Sequence, residues 1–282
     1  MNKLLRCGDR QLDLSVPRIM GVINITPDSF SDGGRLMGRR PDLPRILDLA
    51  GAMLAEGAAI LDVGGESTRP GAEAVSEEEE CRRVMPVVER LLELDTIVSV
   101  DTSKPGVAAR ALAAGVQLIN DVTGGRNPQM LRVVAGSDAA LCLMHMQGEP
   151  RTMQVAPNYA DVVAEVRAFL ASQVAACRDA GIAAERLLLD PGFGFGKTLQ
   201  HNLALLRNLA SLRVDGLPLL VGLSRKALIG TLTGRPPGQR AVGSAAAALL
   251  AAQRGADVVR AHDVAETADA LKMLAAMEGR FD

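Results

Sequence analysis

Residues 19 to 34 read IMGVINITPDSFSDGG. The first five are apolar and suit a strand buried on both faces. From Asn24 onward the character reverses. Asn24, Thr26, Asp28, Ser29 and Asp32 crowd a segment that Pro27, Gly33 and Gly34 keep out of helix and sheet. Phe30 sits among them, although the chain has only five Phe, one Tyr and no Trp. A ring placed in a polar, glycine-rich loop suits a cover over a ligand. The plainer alternative is a strand-to-helix connection with a hydrophobic staple.

The same unit, an apolar run with a polar exit, recurs along the chain. Apolar runs stand at 18–23, 59–63, 97–100, 116–119, 139–143, 187–189, 218–222 and 257–260. Segments of helical period follow at 44–56, 76–92, 105–114, 128–135, 159–180, 200–210, 240–254 and 264–277. Ser76 with Glu79 reads as a capping box at the head of the second helix. Gly57, Gly115, Gly181 and Gly255 stand where helices need a left-handed cap before the next strand. Strands alternating with helices pair in parallel through right-handed crossovers. Eight such units predict a (β/α)8 TIM barrel, one domain spanning 1–282; an open doubly wound sheet is the main competitor.

The polar residues collect at the strand exits. Asn24, Asp62, Asp101, Asn120 with Asp121, His145, Asp190, Ser224-Arg225-Lys226, and Arg260 with His262 follow the eight runs in order. In a barrel these ends share the rim where active sites sit. Carboxylates and amides there suit a flat heterocycle bearing N–H donors; Arg69, Lys226, Arg260 and His262 suit an anion such as phosphate. Two more glycine-rich loops, GGESTRPGAE at 64–73 and DPGFGFGKT at 190–198, read as lids around the mouth. GFGFGK lacks the spacing of a P-loop. Structural roles are expected for His145 beside Met144 and Met146, a surface position for His201, and a solvated first turn for Glu77–Glu80. Asp62 and Asp121 read equally well as caps or loop anchors.

Composition narrows the function. Apolar residues make up 48% of the chain and charged residues 23%, and the net charge is −2. That balance gives no electrostatic case for nucleic acid or an anionic membrane. No apolar run reaches the ~18 residues of a membrane span, and the N-terminus lacks a signal-peptide core. Cys7, Cys81, Cys142 and Cys177 have neither zinc nor disulfide spacing, which suits a reducing cytoplasm.

NITPDSFSDGG together with LDVGGESTRPGA resembles the dihydropteroate synthases, the sulfonamide-inhibited family of folate biosynthesis. The likeness continues through SVDTSKP at 99–105, INDVTGG at 119–125, LMHMQGEPRTMQ at 143–154, DPGFGFGKT, GLSRKALIG at 222–230 and RAHDVAET at 260–267. It covers the chain from about residue 16 to the end. It implies a (β/α)8 barrel, a homodimer, and a transferase that condenses 6-hydroxymethyl-7,8-dihydropterin diphosphate with 4-aminobenzoate. The products are 7,8-dihydropteroate and pyrophosphate.

The resemblance also implies roles. Asp101, Asn120, Asp190 and Lys226 bind the pterin, with Val122 and Met144 as walls and Arg260 stacked on the ring. Asn24, Thr68, Arg69, Arg260 and His262 bind the diphosphate, with Mg²⁺ held through Asn24. Thr68, Pro70, Phe195 and Lys226 receive the aminobenzoate. Phe30 and Asp32 belong to a loop that closes over the site. Asp101, Asp190, Lys226, Arg260 and His262 are the expected catalytic set. Ala227 stands where the family often has Ser, so a hydroxyl for the aminobenzoate carboxylate is missing. The alternatives are a pterin-binding methyltransferase-type barrel, which needs no diphosphate site, and a non-catalytic pterin-binding paralogue.

Overall fold

The computed structural model of the chain describes residues 4–26, 41–67, 73–149 and 152–280. It opens with an antiparallel hairpin, β1 (Leu4–Cys7) and β2 (Arg10–Asp13), turned by Gly8. Each strand has four residues, too short for its alternation to be legible in MNKLLRCGDRQLDL. Leu5, Cys7, Leu12 and Leu14 join Met20, Ile60, Ile97, Leu118, Ala140, Cys142, Leu188, Leu220 and Val258 in one buried cluster. The hairpin thereby plugs the end of the barrel at which the strands begin.

The barrel consists of β3 (Arg18–Asn24), β4 (Ala58–Gly64), β5 (Ile97–Asp101), β6 (Leu118–Asp121), β7 (Ala140–Met144), β8 (Leu187–Asp190), β9 (Leu220–Val221) and β10 (Val258–Ala261). Every neighbouring pair in the order β8-β7-β6-β5-β4-β3-β10-β9 is parallel. The ring closes through a parallel bridge between Leu189 and Leu219 and the bond from Leu189 N to Pro218 O at 3.0 Å. Closure excludes the open-sheet alternative. β9 is short because Pro218 offers no N–H to the ladder.

Along each strand the two-residue period separates two fates. One parity, Ile19, Ile23, Leu61, Val63, Val98, Val100, Ile119, Leu141, Leu143 and Leu189 among them, packs outward against the helices. The other parity starts apolar at the plugged end and turns polar at the strand exits, giving Asp62, Ser99, Asn120, Asp190 and Arg260.

The helices among the described residues are α1 (Leu43–Ala55), α2 (Glu77–Leu91), α3 (Pro105–Ala114), α4 (Pro128–Ala135), α5 (Val162–Asp179), α6 (Leu199–Arg207), α7 (Ala227–Thr233), α8 (Ala241–Gln253) and α9 (Val264–Met277). α5 shows the local logic. The Asp161 carboxylate caps Val163 N and Ala164 N, and Val162, Val166, Leu170, Val174 and Cys177 form its buried stripe. Gly57, Gly115, Gly181 and Gly255 all take positive φ, between 90° and 108°, as the sequence predicts. α7 escapes the sequence reading, because ALIGTLT is only seven residues long and carries Gly and two Thr.

Three local expectations are corrected. At Ser76 only half of the capping box forms: Ser76 Oγ accepts from Glu79 N at 3.2 Å, while the Glu79 carboxylate turns to Arg82 and Arg83. The acidic turn is not wholly solvated, because Glu80 is fully buried and paired with Lys104. His201 is half-buried rather than superficial, and its Nδ1 accepts from Thr198 N in a capping box on α6.

Candidate active site

The strand exits converge on one cup. Arg260, on β10, lies at its centre and donates from Nε to Asp62 Oδ2 at 2.6 Å and from Nη2 to Asp101 Oδ2 at 2.9 Å. Asp62 is fully buried and also accepts from Ser99 Oγ at 2.6 Å and Asn120 Nδ2 at 3.1 Å. A buried carboxylate with this many donors is satisfied. Asp62 is thus neither a cap nor a loop anchor; it orients Arg260 and Asn120. Ser99 escapes the sequence reading. Its signal is a hydroxyl in IVSVD, two residues before Asp101 and so on the same strand face.

The charges in the cup are held away from their ordinary balance. Burial pushes the Asp101 carboxyl up to about 7, Arg260 pulls it back, and Asp62 adds to the rise. Burial also raises Asp190, against the opposing pull of Lys226. Burial lowers Lys226 to about 8, and Asp190 opposes that fall. For Arg260, burial works against the charge, yet Asp62 and Asp101 hold it above its ordinary value.

Lys226 precedes α7 and points into the cup rather than along the helix surface. Its Nζ donates to Phe193 O and lies 4.6 Å from the Phe195 ring centroid, a cation–π contact. The turn that aims it depends on Arg225 at φ 58°, pinned by the Asp263 carboxylate and by the bond from Arg225 N to Ser244 Oγ at 2.9 Å. Phe195 packs on Val122, Met144, Met146 and Met153, an apolar wall beside the charged groups.

At the other side of the cup Asn24 Nδ2 is 3.4 Å from His262 Nε2, and His262 Nδ1 is 3.1 Å from Ser224 Oγ. Two glycines keep the space open. A Cβ at Gly64 would lie 3.7 Å from Asn24 Oδ1 and 3.8 Å from Asp101 Oδ2. One at Gly222 would lie 3.7 Å from Lys226 Nζ and 3.9 Å from Arg260 Cβ.

The structure therefore brings together Asn24, Asp101, Asn120, Val122, Met144, Asp190, Phe195, Lys226, Arg260 and His262. Phe30, Asp32, Thr68, Arg69 and Pro70 lie outside the described residues. Phe193 does not belong to the mouth as the sequence suggests; it is fully buried in the outer core between barrel and helices. The 190–198 loop is tied down rather than built to swing. Gly192 N donates to Asp190 Oδ1 at 2.7 Å and Gly194 N to Asn202 Oδ1 at 2.8 Å. Any Cβ at Gly192 would overlap the His145 carbonyl, so that glycine serves a close approach of backbones. His145 is structural, as expected: it is buried against the Phe169 ring, 5.0 Å between centroids, and burial lowers it to about 3. Asp121 is a loop anchor that accepts from Thr123 N at 2.8 Å and Gly125 N at 2.8 Å.

Comparison with known proteins agrees with this geometry. Residues 20–262 match the model of the pterin binding enzymes. Dihydropteroate synthase of Escherichia coli K12 is 51% identical over 266 residues, covering 94% of this chain and 93% of its own. The chain belongs to the dihydropteroate synthase family. Dihydropteroate synthase of Yersinia pestis, solved as a sulfonamide drug complex, superposes with a TM-score of 0.93 at 48% identity, covering 98% of this chain and 99% of its own. That of Burkholderia cenocepacia, solved with 7,8-dihydropteroate, gives 0.89 at 47% identity, covering 99% and 97%. The family's fold is thus the barrel described above, and its members are transferases.

Proposed function

We infer that the chain condenses 6-hydroxymethyl-7,8-dihydropterin diphosphate with 4-aminobenzoate, releasing pyrophosphate and 7,8-dihydropteroate. The observation that carries this reading is the convergence of Asp101, Asn120, Asp190 and Lys226 with Arg260 and His262 in one cup. The first four suit a pterin edge, and the last two suit an anion. A methyltransferase-type barrel needs no anion site, so the pairing of His262 with Asn24 beside Arg260 favours the synthase.

Asp190 and Asn120 accept from and donate to the amino-pyrimidinone edge, and Val122 and Met144 flank the ring. Arg260 and His262 receive the diphosphate, with Asn24 beside them. The family implies Mg²⁺ at this point. Among the described residues no group of three or more His, Cys, Asp or Glu side chains is placed to hold a metal. The lone Asn24 amide oxygen fits a Mg²⁺ bound mainly by substrate phosphate and water. An ion held there would supply charge to neutralise the leaving diphosphate. Thr68 and Arg69 are assigned to the same anion by resemblance, as are Thr68 and Pro70 to the aminobenzoate.

The C–O bond to diphosphate breaks, leaving a delocalised pterin cation. Asp101 and Asp190 are assigned the stabilisation of that charge. The aminobenzoate nitrogen then bonds to the methylene carbon and gives up its proton to solvent. Phe195 and Lys226 position the amine, and no side chain is assigned as a dedicated base; catalysis is positioning and electrostatics. Phe30 and Asp32 are assigned to the closing loop by resemblance.

Self-association as a homodimer is part of the proposal. Leu232, Val242, Leu250, Met273 and Met277 are exposed apolar side chains on the adjoining helices α7, α8 and α9. α8 (AVGSAAAALLAAQ) is apolar all round, the composition of a helix covered on both sides. Sedimentation at increasing concentration tests this, and a monomer at every concentration would reject it. All four cysteines are free and buried, which supports a reducing cytoplasmic setting. No helix among the described residues is long and apolar enough to cross a membrane.

The experiment for the reaction is pyrophosphate release from the pterin diphosphate, with and without 4-aminobenzoate. Release that depends on 4-aminobenzoate is the expected result; binding without turnover would favour a non-catalytic paralogue.

A further inference from the structure

We propose that Lys197 is a positioning residue for the aminobenzoate pocket, its buried Nζ fixing the Phe193 carbonyl and Phe195 ring that hold Lys226. The proposal rests on the reaction assigned above.

Lys197 is only 3% exposed, yet among the described residues its Nζ bonds to no carboxylate. Its Nζ lies 2.9 Å from His145 Nδ1, 2.9 Å from Gly192 O and 3.0 Å from Phe195 O, with His145 O at 3.4 Å. An ammonium has three N–H donors and no acceptor. As an ammonium Lys197 spends all three donors on this set, and His145 then presents a bare Nδ1 and carries its hydrogen on Nε2. Burial pulls Lys197 down to about 7, while Asp190 opposes that and Lys226 and Arg126 add to it. A neutral amine would instead donate to the two carbonyls and accept from a protonated Nδ1, so both forms fill the cage. In either form the bonds to Gly192 O and Phe195 O are kept.

The cage matters because of what hangs from it. Gly192 and Phe195 bracket the turn that presents Phe193 O to Lys226 Nζ and lays the Phe195 ring 4.6 Å beneath that same nitrogen. Gly192 N also fixes Asp190 Oδ1. One amino group thus ties the exit of β7, at His145, to the loop that carries both the pterin carboxylate and the aromatic floor of the second pocket. Lys197 and His145 reach the cup only through its backbone, Lys197 Nζ at Phe195 O at 3.0 Å and His145 N at Asp190 O at 2.9 Å.

The test uses the full chain with Lys197→Met, which keeps the volume but leaves the acceptors without a donor, and Lys197→Gln, which retains two N–H donors. Steady-state pyrophosphate release is measured against 4-aminobenzoate, alone and in combination with Phe195→Ala. The expected result is a KM for 4-aminobenzoate raised on the order of tenfold in Lys197→Met, with kcat changing far less. Lys197→Gln should fall between Lys197→Met and the native chain. On the Phe195→Ala background Lys197→Met should add little, because both changes act through the same ring. A lowered melting temperature with unchanged KM in either folded variant, or effects that simply add, would reduce Lys197 to a packing residue and overturn the proposal. Absence of aminobenzoate-dependent release from the native chain would instead overturn the reaction, and with it the pocket that Lys197 positions.

Discussion

Replacing Lys104 by methionine should destabilise the protein while removing nothing from the cup. Lys104 Nζ bridges two carboxylates, Glu66 Oε2 at 2.6 Å and Glu80 Oε2. Glu80 is fully buried on α2, and its other oxygen, Oε1, has no partner among the described residues. Lys104→Met therefore strands a buried carboxylate. Breaking a buried pair this way costs about 3–5 kcal/mol. Lys104 is 20% exposed and Glu66 21%, so water relieves part of that, and about 3 kcal/mol is the working figure. An unfolding entropy of about 2.1 cal/mol/K per residue then gives a fall in Tm of roughly 5 °C for a chain of 282 residues.

The double variant Glu80→Leu with Lys104→Met should recover most of that loss, since an apolar pair of similar volume needs no charge compensation. Thermal melting and urea unfolding of the native chain, both single variants and the double variant close a double-mutant cycle. A Tm for Lys104→Met within about 1 °C of the native value would show that the pair carries no net stability, and a double variant no more stable than Lys104→Met would show that a stranded carboxylate is not the cause of the loss. Glu66 also accepts from Val75 N at 2.9 Å, which fixes the base of the β4–α2 connection.

Asp190→Asn should reduce pterin affinity about tenfold to a hundredfold, because an amide donor would face a donor of the ring at ~1–3 kcal/mol; native affinity in the folded variant would make Asp190 only the anchor of Gly192 N. Gly222→Ala should leave Tm nearly unchanged, since its Cβ meets Lys226 Nζ and Arg260 Cβ at ordinary contact distances of 3.7 and 3.9 Å, yet it should raise the KM for the pterin diphosphate; an unaltered KM would place the ring elsewhere. His145 is held near 3 by burial against an ordinary 6.5, so between those values the unfolded chain binds a proton that the folded chain refuses. That contribution to stability is therefore complete above pH 6.5 and is lost as pH falls toward 3, by several kcal/mol. Asp101, raised to about 7, works in the opposite sense, its penalty growing as pH rises from 3.8 to 7. Comparing urea midpoints of the native chain and His145→Gln across pH 3–7 isolates the histidine, and parallel curves would contradict its assignment as buried and neutral.

The sequence by itself determined eight parallel strand–helix units and most of the groups in the cup; closure of the ring and the place of Ser99 came from the structure. Parallel strands buried on both faces must be continuous apolar runs, and a strand leaving the core must end in groups that satisfy its backbone. Both signals are local, so eight runs with polar exits could be read in order, together with Asn24, Asp101, Asn120, Asp190, Lys226, Arg260 and His262. What the structure alone decided is how those groups are paired. Arg260 meets Asp62 across 198 residues and Asp101 across 159, and Lys197 meets His145 across 52. Residue type cannot say which carboxylate takes which guanidinium nitrogen, nor that Glu80, in an acidic turn that looks solvated, faces inward to Lys104. Phe193 and Phe195 show the same limit two positions apart. The tight turn through Gly192, Gly194 and Gly196 breaks strand and helix period alike, and tertiary packing alone sends Phe193 into the outer core and Phe195 to the wall of the cup.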